Sequence, residues 1–163
     1  MKKLAALGLS VLPLASPAVA QDWDSYFNMG TFAAGGGSDA NGWLSLECAD
    51  PDSGFSSAGR PFLSVTVMSG ISLNKKSLAD GLAFWVDDGQ SYVLPMSLEE
   101  GSSTILHYDH SDDSVGEVLD LIEALRKGGN VGLEMGSEFV MRVTLEGSFQ
   151  ALEYVEACIR DAQ

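Results

Sequence analysis

The chain has 163 residues, with 23 acidic side chains against nine basic ones and a formal charge of −14. That balance excludes nucleic acid and anionic lipid surfaces as partners, because both are held by clustered Lys and Arg. The length suits one domain with a real core rather than two.

Residues 1–20 read as a secretory signal. Lys2 and Lys3 supply the positive start, Leu4 to Leu14 a short apolar stretch, and Ala18-Val19-Ala20 a small-residue cleavage motif before Gln21. The apolar stretch is too short, and too interrupted by Pro13 and Pro17, to cross a bilayer as a helix. Cleavage after Ala20 removes 20 of the 163 residues, leaving 143, and the loss of Lys2 and Lys3 moves the formal charge from −14 to −16. No lipobox cysteine follows the tag, and no second long apolar segment occurs. The expectation is a single domain over residues 21–163, exported to the bacterial periplasm or the medium, with no membrane span.

Along the mature chain, Trp23 to Ala33 forms an N-terminal segment before the glycine-rich run Ala33 to Gly42. The run has no apolar period and reads as a loop. In Trp43 to Cys48, Leu44, Leu46 and Cys48 alternate with Trp43, Ser45 and Glu47, which is strand periodicity and puts Cys48 on the leucine face. Ala49 to Pro61 is turn chemistry around Asp50-Pro51-Asp52-Ser53-Gly54. Phe62 to Met68 alternates again. Leu82 to Asp87 and Ser91 to Met96 flank Asp88-Gly89, a dipeptide suited to a two-residue hairpin turn. Pairing through that turn puts Trp85 opposite Tyr92 and Phe84 opposite Val93. Apolar groups on both faces predict a hairpin covered on each side. Ser103 to Tyr108 is a further strand.

The period then changes. Ser114 and Glu117 form a capping-box pattern, and Val118, Leu121, Ile122 and Leu125 follow at helical spacing before Arg126, Lys127 and Gly128. The spacing predicts a helix over Val115 to Lys127. Val131 to Met135 and Phe139 to Glu146 read as strands, the second with Phe139, Met141, Val143 and Leu145 on one face. Gly147-Ser148 opens a last helix whose apolar stripe is Phe149, Leu152, Val155 and Ile159, with Ala151 and Cys158 beside it. The expected fold is α+β or mainly β: an antiparallel β-sandwich-like domain of about six to eight strands, with two helices at about 115–127 and 148–160 and one disulfide.

Cys48 and Cys158 are the only cysteines. In an oxidising compartment such a pair, each on a core face, predicts a Cys48–Cys158 bridge. Without a Cys-x-x-Cys spacing or a helix N-terminus, the bridge reads as structural rather than redox-active.

The two histidines fall together in His107-Tyr108-Asp109-His110-Ser111-Asp112-Asp113. His107, Asp109, His110 and Asp112 are the candidate metal ligands, since imidazole with carboxylates suits zinc or a similar ion. The competing reading is a solvated acidic loop leading into the helix at Ser114. The Asp39 and Asp50 segments resemble calcium loops only at their start, and Pro61 stands where the Asp50 segment would need a bidentate Glu. A serine hydrolase would need His107 or His110 as its base, and no Gly-x-Ser-x-Gly elbow is present. Trp43, Trp85 and Tyr92 are candidates for a ligand groove or for hairpin packing. No catalytic residue and no cofactor is assigned.

Gly81-Leu82-Ala83-Phe84-Trp85-Val86-Asp87-Asp88-Gly89 is followed by the helix ending Leu125-Arg126-Lys127-Gly128. A short strand and Val143-Thr144-Leu145-Glu146-Gly147-Ser148-Phe149-Gln150-Ala151-Leu152 come next. Over about residues 80–160 this order resembles the invasion-associated locus B family of small periplasmic proteins. The last strand, last helix and Cys158 are also similar to VasI-type accessory proteins of type VI secretion. The resemblance implies a β-rich periplasmic domain whose partners are other envelope or secreted proteins. The expected function is a non-catalytic accessory or protein-interaction domain. The alternative is a secreted metal-binding protein or hydrolase using His107 to Asp113.

Overall fold

A computed structural model describes residues 23–67, 71, 73, 77–108 and 114–163. The predicted signal lies outside the described residues, and so do Asp109 to Asp113.

The strands in chain order are β1 (Trp23–Asn28), β2 (Thr31–Ser38), β3 (Gly42–Ala49), β4 (Pro61–Thr66), β5 (Leu82–Val86), β6 (Ser91–Leu94), β7 (Met96–Leu98), β8 (Ile105–Tyr108), β9 (Asn130–Met135) and β10 (Glu138–Thr144). The α-helices are α1 (Val115–Lys127), α2 (Ser148–Ala151) and α3 (Glu153–Asp161). All ten strands pair antiparallel, in one sheet of order β1-β2-β3-β4-β8-β7 and another of order β10-β9-β5-β6. The result is a sandwich-like, mainly β domain with helical additions. The chain leaves the edge of the second sheet at β6 and enters the edge of the first at β7, with only Pro95 between them. A proline has no amide to leave unpaired at such a crossing.

The inner face of the first sheet buries Leu44, Leu46, Cys48, Leu63, Val65 and Leu106, and that of the second buries Leu82, Phe84, Leu133 and Val143. Val118, Leu121, Ile122 and Leu125 of α1, with Val155 and Ile159 of α3, complete the same core cluster. The bounds of α1 match the periodicity to the residue. The reason it starts at Ser114 differs, because the Ser114 side chain makes no capping bond and its hydroxyl meets the Tyr108 hydroxyl instead.

Four other expectations are corrected. First, the glycine-rich run is a strand: Gly35, Gly36 and Gly37 sit in β2, in register with Ser45, Leu44 and Trp43. Glycine is required there by close approach, since Gly37 has φ +142° and a Cβ on it would press into the Gly42 carbonyl and the Trp43 backbone. Gly37→Ala is therefore expected to cost about 1–3 kcal/mol. A thermal midpoint unchanged from the parent would refute this.

Second, the hairpin register is one residue off the expected one: Phe84 pairs with Tyr92, Ala83 with Val93 and Trp85 with Ser91. The loop holds Asp87, Asp88 and Gly89, with Asp87 and Asp88 in the left-handed region. Asp87 is held in the loop because its carboxylate accepts bonds from the amides of Gly129 and Asn130. The hairpin is also not covered on both sides, as β6 is an edge strand and Val93 is half exposed.

Third, the β10 register shifts between Phe139 and Met141, so Val140 bulges. A bulge inverts the facing of what precedes it, and Phe139 is exposed while Met141 and Val143 are buried. Fourth, the last helix is broken at Leu152 into α2 and α3. Phe149 lies outside the core, its ring under the Arg126 guanidinium at 4.5 Å.

α1 and α3 are joined by charge as well as packing. Glu156 receives Arg126 from α1 and Arg160 from its own helix, the latter at 2.8 Å. Burial raises the Glu156 carboxyl, but the hydrogen bonds from Arg160 and Arg126 outweigh it and hold the group below the ordinary carboxylate value. A depressed carboxyl adds stability above its unfolded pKa, about 4.3, and loses it as pH falls through the lower folded value. Glu156→Gln is expected to cost roughly 1–3 kcal/mol at neutral pH, with the gap closing on acidification. Urea titrations across pH measure it; a gap that stays constant into acid refutes it.

Candidate functional site: an aromatic groove on an edge strand

β1 and β2 form a hairpin across Met29 and Gly30, both in the left-handed region at φ 49° and 81°. This is the backbone a two-residue hairpin turn requires. The turn makes Asn28 and Thr31 the first hydrogen-bonded pair, so by alternation Tyr26 and Asp24 bond into β2. Ser25 and Phe27 then turn their amides and carbonyls away from the sheet. The Ser25 amide donates instead to Asp24 Oδ1 at 2.8 Å. Among the described residues β1 pairs with β2 alone and is the free edge of the first sheet.

Edge strands usually carry charge or brevity as protection against pairing. β1 instead exposes Tyr26 (58 %), Phe27 (56 %) and, at the turn, Met29 (84 %). Phe27 lies opposite Phe32 with ring centroids 4.7 Å apart, and Phe32 faces Tyr154 of α3 at 6.3 Å with nearly parallel planes. Ser25, Tyr26, Phe27, Phe32, Ala33 and Tyr154 line a groove of about 270 Å³. The position of α3 is fixed by Cys158, which is bonded to Cys48 on β3. The expected bridge is therefore present, and it holds one wall of the groove.

His107 sits on β8, on the outer face of the first sheet. Register places Ser45, Ser64, His107 and Ser97 side by side across β3, β4, β8 and β7. The ring packs against Phe62 at 5.1 Å. Its Nε2 lies 3.6 Å from Glu99 Oε1, and among the described residues its buried Nδ1 has no hydrogen-bond partner. Among the described residues no serine hydroxyl is bonded to the imidazole, and no three His, Cys, Asp or Glu side chains converge. Asp109, His110 and Asp112, the other candidate ligands, fall outside the described residues. The Asp50 segment is a turn, with the Asp50 carboxylate accepting from the Asp52 amide at 2.9 Å.

Trp43, Trp85 and Tyr92 are not brought together. Trp43 is on the outer face of the first sheet and Trp85 on the outer face of the second, while Tyr92 faces inward beside Phe84. Trp85 lines a polar pocket of about 160 Å³ with Asp87, Asp88, Asn130, Gly132 and Arg142. The charges there are already engaged: Arg142 binds Asp88 at 2.9 Å, and Asp87 holds two backbone amides.

Sequence reasoning missed the groove because Trp23 to Ala33 carries no clean alternation. The usable signal was Met29-Gly30, a turn pair set between two aromatic-rich runs. No helix among the described residues is long and apolar enough to cross a membrane. Comparison with protein-family models, with curated proteins and with solved structures finds no match to this chain.

Proposed function

We propose that this protein is a non-catalytic accessory domain of the bacterial envelope, exported to the periplasm or the medium, that binds another protein through its β1 edge. The observation that carries the reading is the unpaired strand β1, with Tyr26 and Phe27 exposed beside the groove that Phe32 and Tyr154 complete. Aromatic side chains flanked by open backbone donors and acceptors are what strand-adding partners use. The Lys2–Ala20 export pattern and the resemblance to the locus B and VasI-type proteins support the compartment and the kind of partner. The test is a photo-crosslinking amino acid at Phe27 in cells that export the protein. A discrete adduct is expected there, and none from the same group at Trp43, an exposed aromatic on an interior strand. The adduct is expected to persist when His107 is changed to Ala. Equal labelling at both positions, or none at Phe27, would overturn the reading.

A further inference from the structure

Building on that reading, we infer that the β1 edge takes an extended, basic polypeptide segment as an added strand. An Arg or Lys of that segment lies opposite Phe27, over the groove made by Phe27, Phe32 and Tyr154.

The backbone sets where such a strand pairs. Ser25 and Phe27 present the outward amides and carbonyls; Ser25's amide is already covered by Asp24, whereas among the described residues Phe27's is open. A residue paired directly opposite Phe27 carries its side chain on the same face as Phe27, a few ångströms away. That is the face of Phe32 and Tyr154. The groove of about 270 Å³ accommodates a long side chain.

Charge selects the side chain. Glu153, next to Tyr154 on α3, is exposed, and the chain as a whole carries a formal charge of −14, while Asp24 and Glu47 lie on the opposite face of the sheet from Phe27. Of the described cations, Arg126, Lys127, Arg142 and Arg160 are held by Glu156, Glu123 and Asp88, and Arg60 is exposed. A guanidinium or ammonium over the Phe27 and Tyr154 rings gains cation–π attraction and the pull of the chain's net negative charge. A second copy of this chain brings its own Asp24 and a formal charge of −14 to the same edge, so self-pairing is opposed.

The experiment uses the mature, oxidised protein and a short synthetic peptide of alternating threonine and arginine, followed by amide NMR. At roughly millimolar peptide, the Phe27 amide is expected to exchange more slowly, with resonance changes at Phe27 and Tyr154. Replacing arginine by leucine or glutamate is expected to weaken binding about tenfold or more. N-methylating the peptide backbone is expected to abolish the protection, and added salt to weaken it. Tyr154→Ala, whose fold is checked by near-ultraviolet dichroism, is expected to weaken binding as well. No resonance change, change without Phe27 protection, or equal affinity for the glutamate or leucine peptide would overturn the inference. So would Phe27 protection by dimerisation without peptide. A Phe27 crosslink in cells alongside a negative peptide result rejects the basic strand alone; a missing crosslink rejects the binding edge itself.

Discussion

Removal of the Cys48–Cys158 bridge is expected to lower the folding free energy by about 4–5 kcal/mol. The two cysteines are 110 residues apart, with Cα atoms 6.1 Å apart. In the chain-entropy account the cost of closing so long a loop is removed from the unfolded state, and a mesophilic domain has roughly 5–15 kcal/mol in all. Both sulfurs are buried, at 0 % and 4 % residue exposure. The bridge fastens α3 to β3, so its loss also loosens the helix that carries Tyr154. The clean comparison is the oxidised parent against a Cys48→Ala, Cys158→Ala double variant, which leaves no thiol to cross-link. Urea denaturation gives the difference, and a loss below about 1 kcal/mol would contradict the entropic role assigned to the bridge. The same variant is expected to give a weaker Phe27 adduct, since one groove wall is no longer held.

What was legible in the chain follows from where side chains carry the information. α1 could be bounded to the residue because Val118, Leu121, Ile122 and Leu125 are all core residues and Gly128 follows. β3 and the bridge were legible for the same reason, as Leu44, Leu46 and Cys48 alternate onto one buried face. β2 was not, because Gly35 to Gly37 have no side chains to alternate; Gly35 and Gly37 are selected by how closely β3 approaches. Phe139 and Phe149 were misplaced for a third reason. A bulge at Val140 and a break at Leu152 each reset the phase that a regular strand or helix would keep. The groove itself joins β1 and β2 to Tyr154, near the far end of the chain. Only the tertiary packing of α3 on β2 and β3, fixed by the bridge, brings them together.

Phe84→Ala is expected to cost about 3–5 kcal/mol, and Val93→Ala less than about 0.5 kcal/mol. The pair tests the hairpin register directly. Pairing through Asp88-Gly89 sets Phe84 opposite Val93 and buries both on one face, whereas the three-residue loop pairs Phe84 with Tyr92 and turns Val93 outward. A one-residue slip moves every β6 side chain to the other face, so the two registers give opposite expectations for Val93. In the structure Phe84 is fully buried and packs in the core with Leu82, Leu94 and Leu133, while Val93 is 50 % exposed on an edge strand. Truncating Phe84 therefore opens a cavity where the second sheet faces the rest of the core, and truncating Val93 opens none. Asp87 enforces this register through its bonds to Gly129 and Asn130. Asp87→Ala is accordingly expected to make Val93→Ala more costly than it is alone, if the loop relaxes toward the two-residue turn. Urea midpoints of the single and double variants measure the coupling. A large cost for Val93→Ala in the parent background would overturn the register, and with it the assignment of β6 as a half-exposed edge.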